Sequence, residues 1–138
     1  CTFTNNEDIN AGGYPGAISV ATSSLTVSNS VFIGNDAGGG GLGGAINADA
    51  STVVITGGRF ENNAALDGGS GGAIYSFEGE LTIANATFVG NQGGAIFNDG
   101  GTVIITGSVF DGNINEGGSG GGVSISSGSG VITGSTFI

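Results

Sequence analysis

The side chains in this sequence that could do chemistry are nearly all carboxylates. Asp and Glu number 11 against one basic residue, Arg59, with no Lys and no His, for a formal net charge of −10 over 138 residues. Without histidine, neither a Ser-His-Asp relay nor a histidine metal site can be built. Glycoside hydrolysis needs two carboxylates facing each other across a sugar. Asp36, Asp49, Asp67, Glu78, Glu80, Asp99, Asp111 and Glu116 are available, but they recur at no common column of the pattern described below. A polysaccharide lyase would need a cationic base and further cations for its acidic substrate, and Arg59, next to Phe60, reads as an outward, solvated side chain. The chain is therefore expected not to be an enzyme.

Calcium is the remaining inorganic partner, since hard cations take oxygen ligands. Glu78 with Glu80, or Asp99 near Asp49 in adjacent coils, are the places where it would be held loosely; no other cofactor is expected. The glycine runs Gly68–Ala73 and Gly117–Gly122 lack the Asp of calcium-binding nonapeptide repeats. Solvated carboxylates that keep a surface soluble are the simpler reading. Thr26, Thr56, Thr82, Thr106 and Thr133 are too scattered to form an ice-binding lattice.

Charge also bounds the partners. Nucleic-acid binding requires cations that displace phosphate counterions, and an anionic membrane surface makes the same demand. One arginine supplies neither. Cys1 is the single cysteine, so no intrachain disulfide forms. No leader and no apolar run long enough to span a bilayer is visible, which reads as a mature or excised piece of a longer chain.

What positions these groups is an internal repeat. Phe3, Phe32, Phe60, Phe88, Phe110 and Phe137 are spaced by 29, 28, 28, 22 and 27 residues. Three residues after the first five come Asn6, Asn35, Asn63, Asn91 and Asn113; five before the last five come Val27, Ile55, Ile83, Ile105 and Ile132. Between them lies Gly-Ala-Ile, at residues 16–18, 44–46, 72–74 and 94–96, weakening to Gly-Gly-Val at 121–123. Each repeat thus offers three short strand-like pieces, such as Ala45–Asn47, Thr52–Thr56 and Gly58–Glu61, bounded by turn residues. With 32 Gly and 38 % hydrophobic residues, helix is disfavoured throughout.

The expected fold is an all-β, right-handed parallel β-helix of about five coils of three short strands, a single domain over 1–138. The phenylalanines should stack inside at about 4.8 Å, and the asparagines should form a ladder at one corner, each amide bonding its copies above and below. Asparagine also tolerates the left-handed backbone that the turn requires, and the glycine of Gly-Ala-Ile should turn the chain with positive φ. Length variation is confined to the segment after the asparagine: 36–43, 64–71, 92–93 and 114–120. Insertions at one corner of a solenoid commonly mark its ligand-facing edge.

Gly-Gly-Ala-Ile (Gly43–Ile46, Gly71–Ile74, Gly93–Ile96) alternating with Phe-x-x-Asn over nearly the whole chain resembles the repeat of the chlamydial-type polymorphic outer-membrane protein family. That resemblance implies a right-handed β-helix displayed outside the cell, as an autotransporter passenger or adhesin. A C-terminal membrane barrel is not among these 138 residues.

The sequence opens and closes on the same phase of the repeat, Thr2-Phe3-Thr4 and Thr136-Phe137-Ile138, so monomers stacked head to tail would continue the helix as a fibre. Outward apolar positions beside the phenylalanines (Val31, Ile33, Val89, Val109) suggest lateral contacts. Two functional readings stand: an extracellular or cell-surface structural solenoid that pairs with itself, and an adhesin that binds a glycan or surface protein through its corner loops. Asn85-Ala86-Thr87 is the one N-glycosylation sequon.

Overall fold

The computed structural model of the chain describes residues 1–9 and 14–138. Among these it contains strands and no helix. The first coil holds β1 (Thr2–Thr4), β2 (Ile18–Ala21) and β3 (Ser24–Ser28); the second, β4 (Val31–Ile33), β5 (Ile46–Asp49) and β6 (Thr52–Thr56). The third holds β7 (Arg59–Glu61), β8 (Ile74–Phe77) and β9 (Glu80–Ala84). The fourth holds β10 (Thr87–Val89) and β11 (Ile96–Thr106), the fifth β12 (Val109–Asp111) and β13 (Val123–Thr133), and β14 (Thr136–Phe137) opens another turn.

Every strand pairs in parallel with its equivalent one coil away, in the order β1-β4-β7-β10-β12-β14 on the phenylalanine face. The chain is a parallel β-solenoid of about five coils. The repeat columns are its hydrogen-bond register. Phe60 lies opposite Phe32 and Phe88, Ile55 opposite Val27 and Ile83, and Ile74 opposite Ile46 and Ile96. Three strands per coil hold for the first three coils. In the fourth and fifth the second and third strands merge into β11 and β13, 11 residues each, with register shifts between Asn98, Asp99 and Thr102. There Gly100-Gly101, both with positive φ, carry the bend that single left-handed residues (Thr22, Ala50, Glu78) make in the earlier coils.

Alternation along each strand sends every second side chain inward. Phe32, Phe60, Phe88, Ile46, Ile74, Ile96, Val53, Leu81 and Val103 are fully buried. The phenylalanine rings stack at 4.6–4.8 Å within 10° of parallel. Each buried ring contributes roughly 1.5–3 kcal/mol of transfer free energy.

The asparagine ladder closes the corner after the phenylalanine strands. Asn63 Nδ2 donates to Asn91 Oδ1 (3.0 Å) and to the Phe32 carbonyl (3.1 Å), while its own Oδ1 accepts from Asn35 N (3.0 Å) and Asn35 Nδ2 (2.8 Å). The pattern continues on either side, from Asn6 to Asn35 and from Asn91 to Asn113. Asn35, Asn63 and Asn91 are fully buried, which is tolerable because the amides' donors and acceptors are answered by neighbouring coils.

The left-handed turn is made by the residue before the ladder asparagine and not by the ladder asparagine itself. φ is +52° at Asn5, +62° at Gly34, +53° at Asn62, +61° at Gly90 and +58° at Gly112. An asparagine at this outer position leans over the next coil. A Cβ at Gly34 would meet Asn5 Oδ1 at 2.6 Å, and one at Gly90 would meet Asn62 Oδ1 at 2.6 Å. At Gly112, above side-chain-less Gly90, nothing lies within 4 Å. The order Asn, Gly, Asn, Gly, Gly is thus steric. The same order recurs at the next outer corner, Asn29, Gly57, Asn85, Gly107 and Gly134.

The glycine of Gly-Ala-Ile has the expected positive φ in the fourth coil, at Gly94 (+80°), but in the second and third coils positive φ belongs to the preceding residue, Gly43 (+71°) and Gly71 (+67°). Gly44 is needed for close approach: a Cβ there would sit 2.2 Å from the carbonyl oxygen of Gly72 in the next coil.

Candidate functional site

The loops of unequal length sit side by side on one corner, held in register at both feet. Isolated parallel bridges link Glu7, Asp36, Ala64, Gln92 and Ile114 where the loops leave, and Leu42 to Ser70 where two of them return. Between the long loops of the third coil (64–71) and the fifth (114–120), the fourth contributes only Gln92-Gly93. The missing residues leave a cleft of about 520 Å³. Ala65, Leu66, Asp67 and Ser70 form one wall, Ile114, Asn115, Glu116 and Ser119 the other, and Gln92 and Gly93 the floor. Leu66 and Ile114 are exposed, at 42 % and 58 %. The volume falls within the range of about 300–1,000 Å³ usual for ligand sites. The 22-residue spacing that marks the short coil in the sequence therefore builds a concavity.

A second surface lies on the wall that follows these loops. Residues next to the inward Ile column point outward, and the register places Asn47, Tyr75, Phe97 and Ser124 in one file and Asp49, Phe77 and Asp99 in the next. The Tyr75 and Phe97 rings stack at 5.7 Å, 7° from parallel. Burial, and after it the charges of Asp99 and Asp49, push the Tyr75 phenol above its ordinary value. The sequence reading did not single out these rings. The signal was available in the residue that follows each Gly-Ala-Ile.

The carboxylates are arranged differently from the sequence expectation in two respects. Asp49 and Asp99 do share a column, and they are separated by Phe77 and not in adjacent coils. Glu61 and Asp111 also share one, on either side of Val89. Glu78 and Glu80 border a shallow groove of about 350 Å³ with Ser51, Thr52, Gly101 and Thr102. Asp36 accepts a hydrogen bond from Gly38 N at 2.9 Å. Among the described residues, no group of three or more acidic or cysteine side chains comes together as a metal site.

Arg59 faces outward, as expected, and its Nε donates to Glu61 Oε2 at 2.8 Å. That hydrogen bond holds the Glu61 carboxyl below its ordinary value. The pair also interrupts the outward apolar positions. Arg59 lies between Val31 and Thr87, and Glu61 between Ile33 and Val89, so no continuous apolar stripe runs along this face. Asn85 is exposed, with φ +57°.

No protein-family model, no curated protein and no solved structure matches the chain.

Proposed function

We propose that the chain is a surface-displayed β-solenoid in which a rigid ladder of coils holds up a variable corner that binds a glycan or a protein on another surface. The observation that carries this reading is the cleft between residues 64–71 and 114–120, formed where the fourth coil lacks loop residues. The repeat's resemblance to outer-membrane adhesin repeats supports display outside the cell. Asp67 and Glu116 stand on opposite walls of the cleft; the proposal is binding and does not include catalysis.

The direct test is an array of glycans and extracellular proteins probed with the purified chain and with a version lacking Asn115–Ser119. That deletion gives the fifth coil the connection Ile114-Gly120-Gly121-Gly122-Val123, matching Gln92-Gly93-Gly94-Ala95-Ile96. Reproducible binding that the deletion abolishes supports the reading. Binding indifferent to the deletion, or none at all, overturns it.

A second reading, assembly of copies end to end, is favoured by the uniform register: each coil presents to its neighbour the same parallel strands and the same 4.6–4.8 Å ring stack. A coil of another copy would therefore fit any unpaired rung. Electron micrographs at neutral pH, with calcium and with chelator, should then show fibres with an axial repeat of about 24 Å, five coils at roughly 4.8 Å. Dispersed short rods in both conditions would remove this reading.

A further inference from the structure

We propose that the outward patch formed by Tyr75, Phe77 and Phe97 with Asp49 and Asp99 is a docking site for a cationic side chain, an arginine above all, carried by a protein or peptide partner. The site is separate from the corner cleft and stands whether or not the cleft binds a ligand.

The patch is built on paired strands β5, β8 and β11, so its spacing is fixed by the sheet. Phe77 sits in register between Asp49 on one side and Asp99 on the other. Neighbouring coils are about 4.8 Å apart, so the two aspartates flank the ring across roughly 10 Å. The register thus sets one ring between two carboxylates. In the parallel file Tyr75 and Phe97 stack at 5.7 Å, and Asn47 and Ser124 lie beyond them. All three rings are partly exposed, and Asp49 is exposed.

Charge selects the occupant. Aromatic rings attract cations through their negative faces, and guanidinium both stacks on rings and bonds carboxylates with two parallel donors. The patch supplies rings and carboxylates together and no competing cation. Arg59, the sole basic residue of the chain, lies on β7 and is tied to Glu61 at 2.8 Å. A hard metal ion is poorly served, because calcium takes about 6–8 oxygens and two aspartates separated by a phenyl ring provide few. A neutral glycan would leave both aspartates without a charged partner. The Tyr75 phenol is displaced upward first by burial and then by the charges of Asp99 and Asp49, and a bound cation would offset the second of these contributions.

The test titrates the intact chain with a short arginine peptide, a lysine peptide of equal length and a neutral hexasaccharide, each followed by NMR and by tyrosine absorbance. The expected result is saturable binding of the arginine peptide with shifts centred on residues 75–77 and 97–99, and a downward move of the Tyr75 titration in the complex. Non-specific attraction to a chain of charge −10 is separated by two variants that remove equal charge. Asp49→Asn with Asp99→Asn should weaken the arginine peptide about tenfold, whereas Glu7→Gln with Asp111→Asn, exposed carboxylates outside both sites, should change it less than about twofold. Phe77→Ser should weaken it comparably to the first pair, with far-UV circular dichroism confirming the fold. Equal weakening by both charge pairs, preference for the hexasaccharide, or an unmoved Tyr75 titration would overturn the proposal. Binding here together with an empty array for the corner loops would retire the cleft reading and leave this site standing.

Discussion

One residue separates the most constrained part of this molecule from the least constrained. Asn6, Asn35, Asn63, Asn91 and Asn113 stand at the same place in the five coils and bond coil to coil at 2.8–3.1 Å, with Asn35, Asn63 and Asn91 fully buried. The bridge residues Asp36, Ala64, Gln92 and Ile114 follow at once, and beyond them the loops differ in length, sequence and exposure. The difference is one of where the polar backbone groups go. At the ladder corner water is excluded, so each donor must find a partner in the next coil, and only one side chain has a suitable carbonyl and amide at that reach. At the loop corner water satisfies what the protein does not, and chain length costs little, about 0.6 kcal/mol per doubling of a flexible loop. Stability is thus concentrated at one corner, and the neighbouring corner is free to acquire shape.

The largest effect that would break this contrast is at the ladder. Asn63→Ala removes two donors and one doubly used acceptor, leaves the buried Asn35 N–H and the Phe32 carbonyl short of a partner, and opens a small void. The expected loss is about 3–5 kcal/mol, read as a fall in the urea midpoint with little change in slope. A loss below about 1 kcal/mol would mean that water reaches this corner too, and the contrast would disappear.

A smaller effect sharpens the steric part of the corner. Gly90 and Gly112 have nearly the same φ, +61° and +58°, so alanine at either carries the left-handed penalty of about 1–2 kcal/mol. Only at Gly90 would the new methyl also meet Asn62 Oδ1 at 2.6 Å. Gly90→Ala should therefore be more destabilising than Gly112→Ala by about 1 kcal/mol, and adding Asn62→Gly to Gly90→Ala should remove the excess. Equal losses, or no coupling in that double-mutant cycle, would show that asparagine over glycine is not a steric rule in this helix.

How much of this was legible in the sequence follows the same division. The inward columns were readable because identity recurs at a fixed spacing: Phe32, Phe60 and Phe88, or Ile46, Ile74 and Ile96, can be aligned without knowing the fold. Roles that depend on which side of a turn a residue occupies were displaced by one position. The left-handed conformation falls on Asn62 and not Asn63, and on Gly43 and not Gly44, because burial fixes one member of each pair and sterics the other. The outward features were harder still. Tyr75, Phe77 and Phe97 share no residue type with the other coils, and the relation of Asp49 to Asp99 is visible only when Phe77 is counted as the rung between them. The cleft was half legible: its position followed from the short fourth coil, whereas its walls required the register at the loop feet.

The smallest effect expected is at the loop corner, and it tests the other half of the contrast. Deleting Asn115–Ser119 removes half-buried Asn115 and the exposed residues 116–119, which make no hydrogen bond to another coil among those described; the one side-chain bond there, Gly117 N to Asn115 Oδ1 at 2.9 Å, is internal to the loop. The feet remain, since Ile114 still bridges Gln92 and its carbonyl still accepts from Gly93 and Gly94. Stability should change by no more than about 0.5–1 kcal/mol in either direction, while one wall of the cleft is lost. A deletion that cost as much as Asn63→Ala would mean that the loops brace the solenoid, and their unequal lengths would then reflect packing between coils and not freedom to bind.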